Sequence, residues 1–171
     1  MSEGVPGRRD AIRLLREDRA RTTKLLRRLS TDTFVTTGLG GGAWSPKDLV
    51  GHLETWEQFA LDAIQAIERG EPAPITQQQL DTDDLNLREV ERKAGLSAEA
   101  MARSAATTHD RLLAGLEALA DERWDAPEGP ATDRTLGDRV GSILGGSLGP
   151  VRHDADHWDD LESFAAYHAS D

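Results

Sequence analysis

The sequence predicts an all-α fold: a four-helix bundle with a long connector between its second and third helices. Three observations point there. Apolar residues recur at helical spacing along four long stretches. Ser45 and Ser97 stand as helix-start signals at the head of two of them. Aromatic residues make up only 5% of the 171 residues, and Val, Ile, Thr, Tyr and Phe never cluster as strands require. Stripes of this kind are buried by packing helix on helix. The whole chain, 1–171, reads as a single domain of ordinary size.

The first helix is expected over residues 8–29. Ala11, Ile12, Leu15, Thr22, Leu25, Leu26 and Leu29 form its apolar stripe, with arginines on the remaining surface. Residues 30–42 read as loop. Their glycine-rich end, 38–42, lacks the Gly-Lys-Ser/Thr ending of a phosphate-binding loop and follows no clear strand. The second helix opens on the clearest signal in the chain: Ser45 as N-cap, Pro46 at the first helical position and Asp48 at the acidic place of a capping box. It runs to about Arg69, where Gly70 and two prolines stop it. Residues 70–83 form the connector and 84–94 a short helix. Ser97 then caps a third long helix ending near Ala120, with Met101, Ala105, Thr108, Leu112, Leu116 and Leu119 along one side. Residues 125–134 are loop, and 136–148 a short helix weakened by four glycines, whose part in any site stays open. The last helix is expected from about Pro150 to His168.

The net charge of −11 argues against a general nucleic-acid binder, so no nucleic-acid partner is expected. The charge is uneven. Between Arg8 and Arg28 nine basic residues face only Asp10, Glu17 and Asp18, a basic surface best read as solvated. There is no cysteine, which excludes disulfides, thiolate nucleophiles and cysteine-held zinc. No apolar run approaches the ~20 residues that span a bilayer, and the arginine-rich start does not read as a signal peptide. A cytoplasmic protein with no membrane partner is the expectation. Arginine outnumbers lysine 17 to 3, the composition of a GC-rich genome.

The candidate chemistry lies in the histidines. In the second helix Leu49, His52, Leu53, Trp56, Phe59, Ala60 and Ala63 share the buried stripe, while Glu54, Glu57 and Gln58 point mostly away. In the last helix His153, His157, Leu161, Phe164 and His168 follow one stripe, with Asp154, Asp159 and Glu162 around the outside. Histidines at i and i+4 sit about 5–6 Å apart at Cβ, a spacing that suits two ligands on one ion. Two inward stripes can bring His52 to that pair and leave open positions on a divalent ion, as catalytic sites do. Core histidines with one satisfied hydrogen bond each would show the same pattern, and spacing alone leaves both readings open. His109 and His168 read as polar surface residues.

Two familiar motifs fail on context. His153-Asp154-Ala155-Asp156-His157 differs from the zinc-protease pattern by an Asp where the general-base Glu belongs. Gly145-Gly146-Ser147-Leu148-Gly149 matches the nucleophile elbow, yet only 22 residues follow it and no strand precedes it. It reads as a glycine-rich helix entrance with Ser147 as cap.

The segment Trp44-Ser45-Pro46-Lys47-Asp48-Leu49-Val50-Gly51-His52-Leu53 resembles the second-helix opening of the DinB-like superfamily: a Trp, a capped start, then a His followed by an apolar residue. His153-x-x-x-His157 resembles that superfamily's second signature, in its final long helix. The stretches from Leu85-Asn86 to Glu99 and from Leu112 to Leu119 share its look, so the resemblance spans nearly the whole chain in helix order. The superfamily includes mycothiol-dependent maleylpyruvate isomerases, bacillithiol transferases and the ClbS/DfsB group.

The resemblance implies a divalent metal, zinc or nickel, held by His52, His153 and His157. It implies a metal-dependent thiol S-transferase or isomerase acting on a small electrophile, its thiol supplied from outside. The GC-rich composition makes mycothiol the expected thiol. Trp44, Trp56, Phe59 and Trp158 would shape the substrate pocket or else pack the core. Asp156 or Asp160 would orient a ligand imidazole or else solvate the surface. The catalytic general base is unknown from sequence. The alternatives are a hydrolase, a ClbS-like self-resistance protein that opens or sequesters a reactive compound, and a non-catalytic binding bundle. A homodimer through helix packing is also implied.

Overall fold

The computed structural model describes residues 4–169, and among them all regular structure is helical, with eight α-helices and three short 3-10 segments. The all-α class holds. The expected four-helix description is coarser than what forms, because short helices divide the connections.

Helix α1 (Arg8–Leu26) buries Ala11, Ile12, Leu15, Thr22 and Leu25, as its stripe predicts. Its outward arginines are not simply solvated. Arg8 pairs with Asp121, Arg13 with Glu17, Arg16 with Glu117 and Arg21 with Glu162, so much of the basic surface is matched within the molecule. Ser30 caps α2 (Thr31–Phe34), a single turn inside the expected loop.

Helix α3 (Pro46–Glu68) is the centre of the fold. Ser45 Oγ accepts from the Asp48 amide at 3.2 Å and Asp48 accepts from the Ser45 amide at 2.8 Å, completing the capping box. Leu49, Leu53, Ala60, Leu61, Ala63, Ile64 and Ile67 are all buried, so the helix is covered on most of its circumference. Helix α4 (Thr82–Lys93) follows the connector, which contains a 3-10 turn at Pro74–Gln77. Helix α5 (Ala98–Ala118) is capped by Ser97 as expected. It approaches α3 closely: a Cβ added at Gly115 would lie 3.3 Å from Leu61. After α6 (Asp121–Trp124), α7 (Leu136–Ile143) also packs on α3, with Leu136 and Val140 fully buried. The glycines of this segment serve packing, since the Trp124 indole lies against Gly137.

The last helix departs from expectation. The amides and carbonyls of Gly146 and Gly149 bond each other at 3.0 and 2.9 Å, and Gly149 and Val151 take φ values of 115° and 57°. No helix passes through such a turn. Val151 is β-branched in the left-handed region, a strain on the order of 1–3 kcal/mol held in place by its complete burial. The chain then forms a 3-10 segment at His153–His157, and α8 covers only Trp158–His168. One apolar cluster joins α1, α3, α5 and α7 around Trp124. A second joins α1, α3 and α8 through Leu25, Leu49, Leu53, Trp158, Leu161 and Phe164. The 3-10 segment lies against α1, beside both.

Candidate metal centre

His52 lies in the second turn of α3 and is buried. The capping box fixes where that turn begins, and the preceding loop is tied to it. The Trp44 carbonyl accepts from the amides of Gly38 and Leu39 at 3.0 Å each, and the Trp44 ring lies 5.0 Å from that of His52. Gly40 has φ 61°, and a Cβ there would fall 2.8 Å from Asp160 Oδ2. The glycine run therefore lets the loop close onto the start of α8; it is not a phosphate cradle.

His153 and His157 come from the 3-10 segment rather than from an α-helix, and the His153 amide donates to the Leu144 carbonyl at 2.9 Å. Even so, the three imidazoles converge. His52 Nε2 and His153 Nε2 are 3.0 Å apart, His153 Nε2 and His157 Nε2 3.4 Å, and one ligand nitrogen from each ring lies within 4.8 Å of the others. Ligand nitrogens at ~2.0–2.1 Å from one ion are themselves roughly 3–3.5 Å apart, so the spacing fits a divalent metal. The rings face each other nearly edge to face, at 75° between His52 and His153 and 84° between His52 and His157.

The electrostatics favour ligation. Burial pushes His52 down to about 2, and the neighbouring His153, His157 and Lys93 act in the same direction. Burial also lowers His153 to about 4, with His157 adding to it. His157 is lowered by burial despite Asp154, Asp156 and Asp160 nearby. All three rings are thus neutral at pH 7, the form that binds metal. The side chain of Asn86, on α4, opposes the shift on His52 by hydrogen bonding and accepts from Trp56 Nε1 at 3.0 Å. It is the neighbour placed to orient that imidazole.

A buried charge network fastens the segment carrying the other two histidines. Arg19 of α1 donates to both oxygens of Asp154 at 2.8 and 3.0 Å and reaches Glu57 at 3.1 and 3.3 Å. Glu57 in turn bonds His109 Nδ1 at 2.6 Å. Beside it Arg152 holds Asp18 at 2.5 and 3.1 Å. Burial pushes the Asp154 carboxyl upward, but Arg19 and Thr22 together bring it below the ordinary carboxylate value. Sequence reasoning missed this network. It sent Glu57 and Asp154 outward and His109 to the surface, yet they are 3%, 8% and 9% exposed. The signal was present for two of them: Glu57 stands four residues from both Leu53 and Leu61, and His109 three from Leu112.

The other expected site residues divide. Trp56 lies 6.4 Å from His52 and 6.1 Å from His153 by ring centres, and Phe59 stacks edge-on against Trp56 at 5.5 Å. Trp158 points elsewhere: it is buried in the α1–α3–α8 cluster, donates to Thr22 Oγ1 at 3.0 Å and carries the Arg21 guanidinium over its ring. Asp156 accepts from the Ser147 amide and hydroxyl at 2.7 and 2.6 Å, a loop clamp rather than a bond to an imidazole. Ser147 therefore caps no helix. His168 is half-buried against Phe164, not a free surface group.

A family model for the DinB superfamily matches residues 8–146. The chain belongs to the DinB superfamily. The match takes in His52 and ends before His153 and His157. No curated protein sequence matches significantly. Among solved structures, this DinB chain is similar to an uncharacterised protein from Escherichia coli UTI89, at 16% identity and TM-score 0.80, with 96% of each chain covered. It is also similar to the colibactin self-resistance protein ClbS in complex with a dsDNA, at 12% identity and TM-score 0.73, covering 96% of this chain and 98% of that one. At such identities the likeness is one of fold. It nevertheless corrects the expectation that nucleic acid is excluded: a protein of this DinB fold has been solved on duplex DNA, so net charge does not decide the matter. No described helix is long and apolar enough to cross a membrane.

Proposed function

We propose that this DinB protein is an enzyme that holds a divalent ion, zinc or nickel, on His52, His153 and His157 and joins an external thiol to a small electrophile or rearranges it. The observation that carries this reading is the convergence of three neutral imidazole nitrogens at ligand spacing. When bound, the ion supplies a Lewis acid able to make a thiol or a water nucleophilic at neutral pH. The remaining work falls to the chain. Burial keeps the three rings unprotonated, and Asn86, fastened to Trp56, stands beside His52. Arg19 and the Leu144 carbonyl fix the segment that carries the other two. Trp44, Trp56 and Phe59 give the site an apolar wall against which an electrophile can lie. With no cysteine in the chain the thiol must come from outside, mycothiol being the leading one.

The test is the metal content of tag-free protein purified without chelators, for wild type and His157→Ala. Near one equivalent of a divalent ion in wild type, lost in the variant, is expected. No stoichiometric metal after incubation with zinc, nickel or manganese would overturn the reading. A thiol-consumption assay on the loaded protein then tests the reaction.

The likeness to ClbS supports a second reading, a self-resistance protein that opens or holds a reactive small molecule. Turnover of an electrophile without thiol consumption distinguishes it. Duplex DNA joins the partners to be tested, by anisotropy at low and physiological salt.

A further inference from the structure

A cavity of about 560 Å³ opens between α1, α2, α3 and α5, and the three metal-candidate histidines do not line it. Its walls are mainly apolar, with Leu26, Phe34, Val50, Leu53 and Ala105 among them. Its size falls in the range of small-molecule sites, roughly 300–1,000 Å³. His109 also lines it.

His109 is buried, its side chain 11% exposed, and its Nδ1 is taken by Glu57, which Arg19 holds in turn. Its Nε2 makes no bond within the described protein. No sealed side-chain nitrogen or oxygen among the described residues lacks a partner, so this atom keeps accessible surface, on a residue that lines the cavity. An imidazole oriented by a carboxylate behind it and open in front is a built polar anchor, not a core histidine. Arg27, Glu99 and Asp110 also line the cavity, but apolar surface dominates its walls, and mainly apolar walls around a buried imidazole suit a mainly apolar molecule that carries a polar group. A hydroxyl suits the ring in either protonation state, because it donates to the neutral nitrogen and accepts from the protonated one.

We propose that this cavity is a second binding site, for an aromatic or aliphatic compound bearing one hydroxyl that bonds His109 Nε2. None of His52, His153 and His157 lines the site.

The probes are 2-naphthol and 2-methylnaphthalene, similar in shape but differing in the hydroxyl, titrated into labelled protein and followed by NMR. Chelator-treated wild type should bind 2-naphthol about tenfold more tightly, the size of one net hydrogen bond, with shifts centred on α1, α2 and α5. His109→Phe should erase that preference while retaining a folded spectrum, and His109→Gln should restore part of it. Ala106→Trp, at an exposed cavity position, should block both probes without touching the core. Equal affinity for the two probes overturns the proposal, as does binding that survives Ala106→Trp. Failure of wild type to bind either probe also overturns it. If that failure accompanies a dimer that Ala106→Trp disrupts, a second copy of the chain covers the groove instead.

Discussion

Replacing Arg19 with methionine removes the cation that two buried carboxylates share. Asp154 and Glu57 have side chains 10% and 4% exposed, and the guanidinium between them is 15% exposed, so solvent screens little of the interaction. Breaking a buried pair by deleting one partner costs about 3–5 kcal/mol, because the remaining charge is left unpaired in the interior. Against a total stability of roughly 5–15 kcal/mol, that is a large share. The pH dependence adds a second signature. In wild type the folded-state value of Asp154 is depressed, so its contribution is present above the ordinary carboxylate value and is lost as pH falls through the folded one. In Arg19→Met the buried Asp154, left without its cation, gains by protonation instead. The difference between the two proteins should therefore be largest near pH 7 and shrink towards pH 4. Urea unfolding at a series of pH values reads both. A loss below about 1 kcal/mol, or one that does not vary with pH, would refute the view of Arg19 as the fastening of the 153–157 segment.

Metal-free protein should be acid-sensitive. Its buried histidines stay neutral when folded but titrate near 6.5 when unfolded, so stability is full above that pH and falls below it. The slope is about 1.4 kcal/mol per pH unit for each such histidine, and denaturation in chelator at pH 7 and pH 5 measures it. Thr22→Val should cost about 1–3 kcal/mol in thermal unfolding, because it strands the buried Trp158 N–H. Gly137→Ala should cost at least about 1–3 kcal/mol, since its Cβ would lie 2.7 Å from the Trp124 indole, itself anchored to the Pro6 carbonyl. A neutral result would mean that the indole moves.

The helices were legible where local chemistry decides them. The Ser45–Asp48 capping box, the Ser97 cap and the stripes of α1, α3 and α5 all rest on neighbours within a few residues, and the structure keeps them. The end of the chain was not legible in the same way. A helical stripe through His153, His157 and Leu161 predicts one continuous helix, but the turn at Gly149 and Val151 breaks it, a local turn closed by Gly146 and by Gly141 and Leu144 at the end of α7, which apolar periodicity does not register. The His153–His157 pairing survived although a regular 3-10 segment aligns residues i and i+3 rather than i and i+4. Buried charge was the blind spot. A carboxylate such as Glu57 is assigned outward on cost alone, and only the arrival of Arg19 from a distant helix makes its burial affordable.

His52 and His153 face each other across 101 positions of sequence, in a chain that has no cysteine. An ion held between them would tie the two ends of that stretch together in the folded protein only, adding stability that grows with its concentration, about 2.7 kcal/mol at a hundred times its dissociation constant. This clasp would be reversible and set by supply. A protein relying on it would keep its C-terminal segment docked in metal-replete surroundings and release it to proteases when the ion is withdrawn. Catalytic competence and lifetime would then follow one and the same concentration.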